Sequence, residues 1–186
     1  MPTSVGVSND VLGAGSGGQV EETGLGAGRE AGAGGRRISV LVVDDHRMFA
    51  ESLALLIETE PDIEVVGLAA TGEEGVEMAS SLSPHVVLLD LELPGIDGVE
   101  ATRRIAAETP SSRVVLISAA PDDDAVADAI LAGASGLVPK VAAPERLIPA
   151  IRAAVEGRIV LPEDRHDAIA GRLADRDRPG DQTLGS

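Results

Sequence analysis

Five residues of this 186-residue chain have the chemistry of a site, and each closes a short aliphatic run. Asp44 and Asp45 follow ISVLVV, Asp90 follows HVVLL, Ser118 follows RVVLI, and Lys140 follows GLVP. A carboxylate at the end of a buried strand costs solvation free energy unless something pairs with it. Taken singly, such residues are ordinary, because Asp after a strand commonly makes a turn or caps a helix and a lone Lys is usually solvated. Their joint placement is the signal. Three carboxylates meeting at one edge repel one another and call for a hard cation between them. Magnesium suits the set, since it takes oxygen ligands and leaves coordination positions for water and a phosphoryl oxygen.

The elements that must position these residues can be read from periodicity. Strand-like runs at 38–43, 63–69, 85–89, 113–117 and 136–139 alternate with helical patterns. Phe49, Leu53, Leu56 and Ile57 mark one helix face, Thr71 and Glu74 form a capping box opening a helix with Val76 and Ala79, and a third helix runs to about Glu108. A fourth passes through Val126 and Ile130, and a fifth through Leu147, Ile151 and Val155, stopping at Gly157. Pro149 removes a backbone donor inside the fifth, which predicts a kink or a late start. Continuous aliphatic strands alternating with helices require an α/β fold whose parallel sheet is covered on both faces. Ligands of such sheets bind beyond the carboxyl ends of the strands, so the five residues share one rim if the strand order is 2-1-3-4-5.

Composition bounds the rest. Half of the 22 glycines fall in residues 1–36, where no apolar period offsets the ordering entropy, so a disordered Gly-rich tail is expected there. Gly13, Gly15 and Gly18 have dinucleotide-fingerprint spacing but no flanking strand and helix, and are read as chance in that tail. Phe49 is the only aromatic residue, which argues against binders that stack bases on aromatic rings. A formal net charge of −16 argues against nucleic-acid and anionic-membrane surfaces. The absence of cysteine excludes disulfides and thiolate metal sites, and no stretch is apolar enough to span a bilayer, so a cytoplasmic protein is expected. His46 follows the acidic pair and could tune it; neither it nor His85 or His166 has metal-site spacing. Residues 158–186 read as a linker-like segment with at most one short helix, around Ala168, Ile169 and Leu173.

The motifs VVDDH (42–46), LLDLELPGIDG (88–98), LIS (116–118) and GASGLVPK (133–140) resemble the CheY-like receiver domains of bacterial two-component response regulators. The resemblance covers residues 37–157 and is nearest to the NarL/FixJ type. It implies a flavodoxin-like (βα)5 doubly wound sheet and supplies the strand order 2-1-3-4-5. It also implies that Asp90 is the phosphoacceptor, receiving a phosphoryl group from a sensor histidine kinase. Asp45, Asp90 and the Glu92 backbone carbonyl would hold magnesium, with Asp44 acting through water. Lys140 would pair with the phosphoryl oxygens, and Ser118 would hydrogen-bond the bound group and draw the following loop inward. Relatives use the face of the fourth helix, fifth strand and fifth helix for homodimers or output.

Two positions depart from the family pattern. Leu137 stands where relatives carry the aromatic switch residue, and Val141 follows Lys140 where many carry Pro, so no cis peptide bond is expected there. Glu92 adds a carboxylate beside the site and is expected to alter the lifetime of the acyl phosphate. The resemblance makes the chain a phosphoacceptor and not a turnover enzyme. With no helix-turn-helix in the sequence, it is expected to be the N-terminal part of a DNA-binding regulator, binding no nucleic acid itself. The alternatives are a stand-alone receiver acting through protein contacts and, further off, a magnesium-dependent phosphatase or phosphotransferase. The latter would want Asp, not Glu92, two residues past the nucleophile. A non-phosphorylated flavodoxin-like binding module would have no need of all five rim residues.

Overall fold

β-Branched and Leu-rich runs give five parallel strands: β1 (Ile38–Val43), β2 (Ile63–Ala69), β3 (Val86–Asp90), β4 (Arg113–Ser118) and β5 (Ala134–Pro139). The computed structural model describes residues 36–176. The expectations for the Gly-rich tail, including Gly13, Gly15 and Gly18, therefore lie outside the described residues. The strands are hydrogen-bonded in the order β2-β1-β3-β4-β5, as the resemblance implied. Among the described residues no helix is long and apolar enough to cross a membrane.

The sheet divides the core in two. Along β1, Val40 and Val42 face one cluster, with Ala50, Leu53 and Ile57 of α1 (Arg47–Glu58) and Leu147 and Ile151 of α5 (Ala143–Val155). Leu41 and Val43 face the other, with residues of α2 (Gly72–Leu82), α3 (Gly98–Glu108) and α4 (Asp123–Leu131). Both faces of each central strand are thus buried. This is why those strands read as unbroken aliphatic runs and show no alternation.

Helix ends obey local chemistry. Thr71 Oγ1 accepts from the Glu74 N–H, and Glu74 Oε2 accepts from the N–H of Ala70, so the capping box closes one residue earlier than the simplest form. Pro149 does not delay α5, which starts at Ala143 and runs through it. Pro149 and Glu145, four residues before it, are both exposed, so water can reach the carbonyl that loses its donor. All peptide bonds among the described residues are trans.

After α5 the chain returns to the sheet. Val160 bridges Gly136: the Leu137 N–H donates to Val160 O at 2.7 Å, and the Val160 N–H donates to Ser135 O at 2.9 Å. Gly136 has φ of 151°, and a Cβ there would meet Val160 O at 2.1 Å, so only glycine admits this approach. A single 3-10 turn then leads into α6 (His166–Arg176), which lies against α4. Ile169 is fully buried in the second core cluster, Leu173 and Leu161 pack on that cluster, and Arg165 and Arg172 pair with Asp123 and Asp124. The amphipathic stretch visible in the sequence is therefore seated on the domain.

Truncating Ile169 tests that seat. Ile169→Ala should cost about 2–5 kcal/mol of docking free energy. The cost should appear as faster amide exchange in α6 and α4, with β1 and β3 protected as before.

Candidate functional site

The strand register aligns the carboxyl ends. Val43 stands beside Leu89, Asp90 beside Ile117, and Ser118 beside Pro139. One residue beyond these pairs come Asp44 after β1 and Lys140 after β5. Asp45 and His46 follow at the mouth, just ahead of α1. Asp90 is the last residue of β3 itself, one position further into the strand than the sequence pattern suggested.

Lys140 organises the charges. Its Nζ lies 2.7 Å from Asp44 Oδ2 and 2.7 Å from Asp90 Oδ2. The Asp44 and Asp90 side chains are 0% and 2% exposed, and that of Lys140 is 13% exposed. The Asp44 contact is an ion pair without well-directed hydrogen-bond geometry, whereas the Asp90 contact is a hydrogen bond. Backbone amides satisfy the other oxygens: the His46 N–H donates to Asp44 Oδ1 at 2.8 Å, and the Glu92 N–H to Asp90 Oδ1 at 3.1 Å. Ser118 is fully buried, and its hydroxyl has no hydrogen-bond partner among the described residues.

The loop between β3 and α3 is pinned twice. Glu73 Oε1 accepts from the Ile96 N–H at 3.1 Å. Gly98 packs so closely that a Cβ would lie 2.6 Å from Asp90 O and 2.7 Å from Leu91 Cα. The second glycine of GIDG is thus required by close approach to the residue carrying the site. Burial pushes the Asp90 carboxyl above the usual carboxylate range; the bonds from Lys140 and the Glu92 amide pull the other way, and the Asp44 charge adds to the rise. Lys140 is held above the usual lysine range: burial lowers it, but its contacts with Asp44 and Asp90 outweigh that.

A cation would find ligands here. One ligand atom each from Asp44, Asp45, His46 and Asp90 lie within 4.8 Å of one another. His46 Nδ1 is 2.8 Å from Asp45 Oδ1 and 3.4 Å from Asp44 Oδ1. The oxygen-rich set fits a hard divalent ion, with an exposed face for water. Of the residues marked in the sequence, Asp44, Asp90 and Lys140 meet directly and Asp45 joins them through the cluster. Glu92 is exposed, its amide on Asp90. Leu137 is buried within β5, 1% exposed, in the second core cluster.

Sequence reasoning missed Phe49, and it placed His46 beside the acidic pair without making it a ligand. The His46 ring sits among the carboxylates, and the Phe49 ring centroid lies 4.8 Å from Lys140 Nζ. His46 lacked ligand spacing because its partners come from adjacent residues and another strand. Phe49 had a helix-face signal that accounted for it already.

The model of the response regulator receiver domain matches residues 40–152. The chain belongs to that family. Its NarL/FixJ character is carried by its relatives. The transcriptional regulatory protein LiaR of Bacillus subtilis is 40% identical over 139 residues, 75% of this chain and 64% of LiaR. The nitrate/nitrite response regulator NarL of Escherichia coli is 38% identical over 135 residues, 73% of this chain and 62% of NarL. A LuxR-family two-component response regulator from Aurantimonas sp. SI85-9A1 superposes with a TM-score of 0.66 at 34% identity, covering 75% of this chain and 97% of that structure. The chain thus spans a little under two thirds of LiaR and NarL.

The raised Asp90 carboxyl gives a pH-dependent prediction. A raised folded-state pKa means that the fold binds this proton more tightly than the unfolded chain does, so the stability it contributes is present in acid and lost as pH rises through that pKa. In metal-free buffer Asp90→Asn should therefore melt above the parent at neutral pH. Melts repeated at falling pH should show the difference closing as the parent carboxyl is neutralised.

Proposed function

We propose that this receiver domain accepts a phosphoryl group on Asp90 from a phosphohistidine of a sensor histidine kinase. The observation that carries the reading is the Lys140 ammonium, 2.7 Å from both Asp44 and Asp90 in a cluster of cation-ligand geometry. An Asp90 carboxylate oxygen attacks phosphorus, forming the acyl phosphate. The phosphorus–nitrogen bond breaks, and the imidazole keeps the electron pair and takes up a proton. Lys140 pairs with the arriving phosphoryl oxygens, where its fixed charge opposes the negative charge that develops. The buried Ser118 hydroxyl, without a partner among the described residues, is available to donate to the transferred group.

Asp45, Asp90 and the Glu92 carbonyl are proposed to hold magnesium directly, with Asp44 acting through water. The ion would supply positive charge between the carboxylates and the incoming group. Each cycle consumes one phosphoryl group at Asp90, so in this reading the domain is a phosphoacceptor and not a turnover enzyme. Residues 37–157 form the receiver in this proposal.

Output is proposed to be regulation of transcription, since LiaR is named a transcriptional regulatory protein. The chain itself, with 31 acidic and 15 basic residues, is not proposed to bind nucleic acid. A homodimer through α4, β5 and α5 would have to accommodate α6, because Arg165, Ile169 and Arg172 already occupy the α4 side of that face.

Intact mass after incubation with magnesium and acetyl phosphate tests the reading. The parent should gain one phosphoryl group and Asp90→Ala none; a parent of unchanged mass refutes the proposal. The exposed Glu92 carboxylate is proposed to set the lifetime of the acyl phosphate. Loss of the added mass should proceed at a different rate in Glu92→Asn, and equal rates would show that Glu92 has no such role.

A further inference from the structure

We propose that Phe49 is a positioning residue for Lys140, its ring face holding the ammonium between Asp44 and Asp90. The inference deepens the phosphoacceptor reading and rests on it for its functional consequence. Lys140 Nζ lies 4.8 Å from the ring centroid, within the range of a cation–π contact. Its side chain is 13% exposed, so most of the hydration of the ammonium must be replaced by protein groups. The ammonium has three donors and two carboxylate partners, and the ring supplies a third neighbour.

The backbone fixes that neighbour. Phe49 sits in the first turn of α1, its N–H donating to His46 O at 2.8 Å, so the ring follows directly from the segment carrying Asp44 and Asp45. It is half-buried and packs on the core cluster that includes Ala143 and Leu147 of α5, just beyond Lys140. Through its contact with Lys140 the ring joins the first turn of α1 to the segment that leads into α5. A leucine there would keep the position apolar but would offer no negative π face. A flexible lysine stem held on three sides needs less reorganisation when phosphoryl oxygens arrive, which raises the rate of transfer.

The composition of the chain makes the test clean. Phe49 is the only phenylalanine, so biosynthetic replacement by 4-fluoro-, 3,5-difluoro- and 3,4,5-trifluorophenylalanine alters this position alone. Fluorine withdraws charge from the ring face and weakens its hold on a cation. Phosphoryl uptake from acetyl phosphate should fall stepwise along the series, by roughly two- to fivefold overall. Phe49→Leu should match the slowest member, Phe49→Tyr should stay near the parent, and thermal midpoints should not follow the trend. A flat series, or rates that track the midpoints, overturns the inference. The fluorine NMR signal of the 4-fluoro protein reads the contact without any phosphoryl transfer. It should shift on Lys140→Met, and an unmoved signal overturns the inference even if no form of the protein takes up phosphate. Absence of uptake in every form, with the signal shifting, would instead sink the phosphoacceptor reading and leave the contact standing.

Discussion

Two carboxylates withdrawn from water at one edge of a sheet set the terms for the rest of this structure. Asp44 and Asp90 are almost wholly buried, and their repulsion is relieved by an ammonium that follows β5, three strands from β1 and two from β3 in the sheet. Removing the ammonium from such a buried cluster generally costs about 3–5 kcal/mol, because the carboxylates left behind are unpaired in a poor solvent. The sheet must therefore deliver Lys140 to within hydrogen-bonding distance. It does so through register: the β1–β3, β3–β4 and β4–β5 pairings bring all the chemically equipped ends to one rim. The raised Asp90 carboxyl is what remains of the strain after Lys140 and the Glu92 amide have acted. A divalent cation adjacent to these groups would relieve it further.

Legibility in the sequence followed the range of the interaction. Strands buried on both faces announce themselves as aliphatic runs, and the reactive residues at their ends are conspicuous because polar side chains interrupt those runs. The order of the strands is a long-range property that no local pattern contains; it came from the motifs of the family. Asp90 as the last residue of β3 was hidden because a carboxylate looks like the end of a strand, whereas the Leu91 N–H donates to Ile117 O and carries the pairing past it. Phe49 was invisible as a site residue for a different reason. It already had a sufficient local explanation as a helix-face hydrophobe, whereas His46 was legible as a neighbour of the acidic pair.

The close approach at Gly136 shows a constraint that composition cannot reveal. In a chain with 22 glycines, one more near a strand carries no information. Here it admits Val160 against β5, which fixes where the chain leaves α5 and returns to the sheet. From that bridge the 3-10 turn and α6 have little freedom, and Ile169 reaches the cluster beneath α4. Arg165 then donates to Pro121 O at 2.7 Å and pairs with Asp123. Pro121 lies three residues beyond Ser118, in the loop that connects the site to α4.

This route bears on Leu137. An aromatic residue at that position could report on the site by changing rotamer, but Leu137 is fully enclosed and its N–H is committed to Val160. No swinging ring is available on β5, so if the loop after Ser118 were displaced, the movement would pass to what touches that loop. Arg165 does so through a backbone carbonyl, which moves only with the chain itself. The same arginine heads the helix that shields α4. Any shift of the loop that breaks the bond to Pro121 O therefore acts on the seat of α6, while the Ile169 contact opposes its release. That hydrogen bond, the pairs of Arg165 and Arg172 with Asp123 and Asp124, and the burial of Ile169 together hold α6 on the domain.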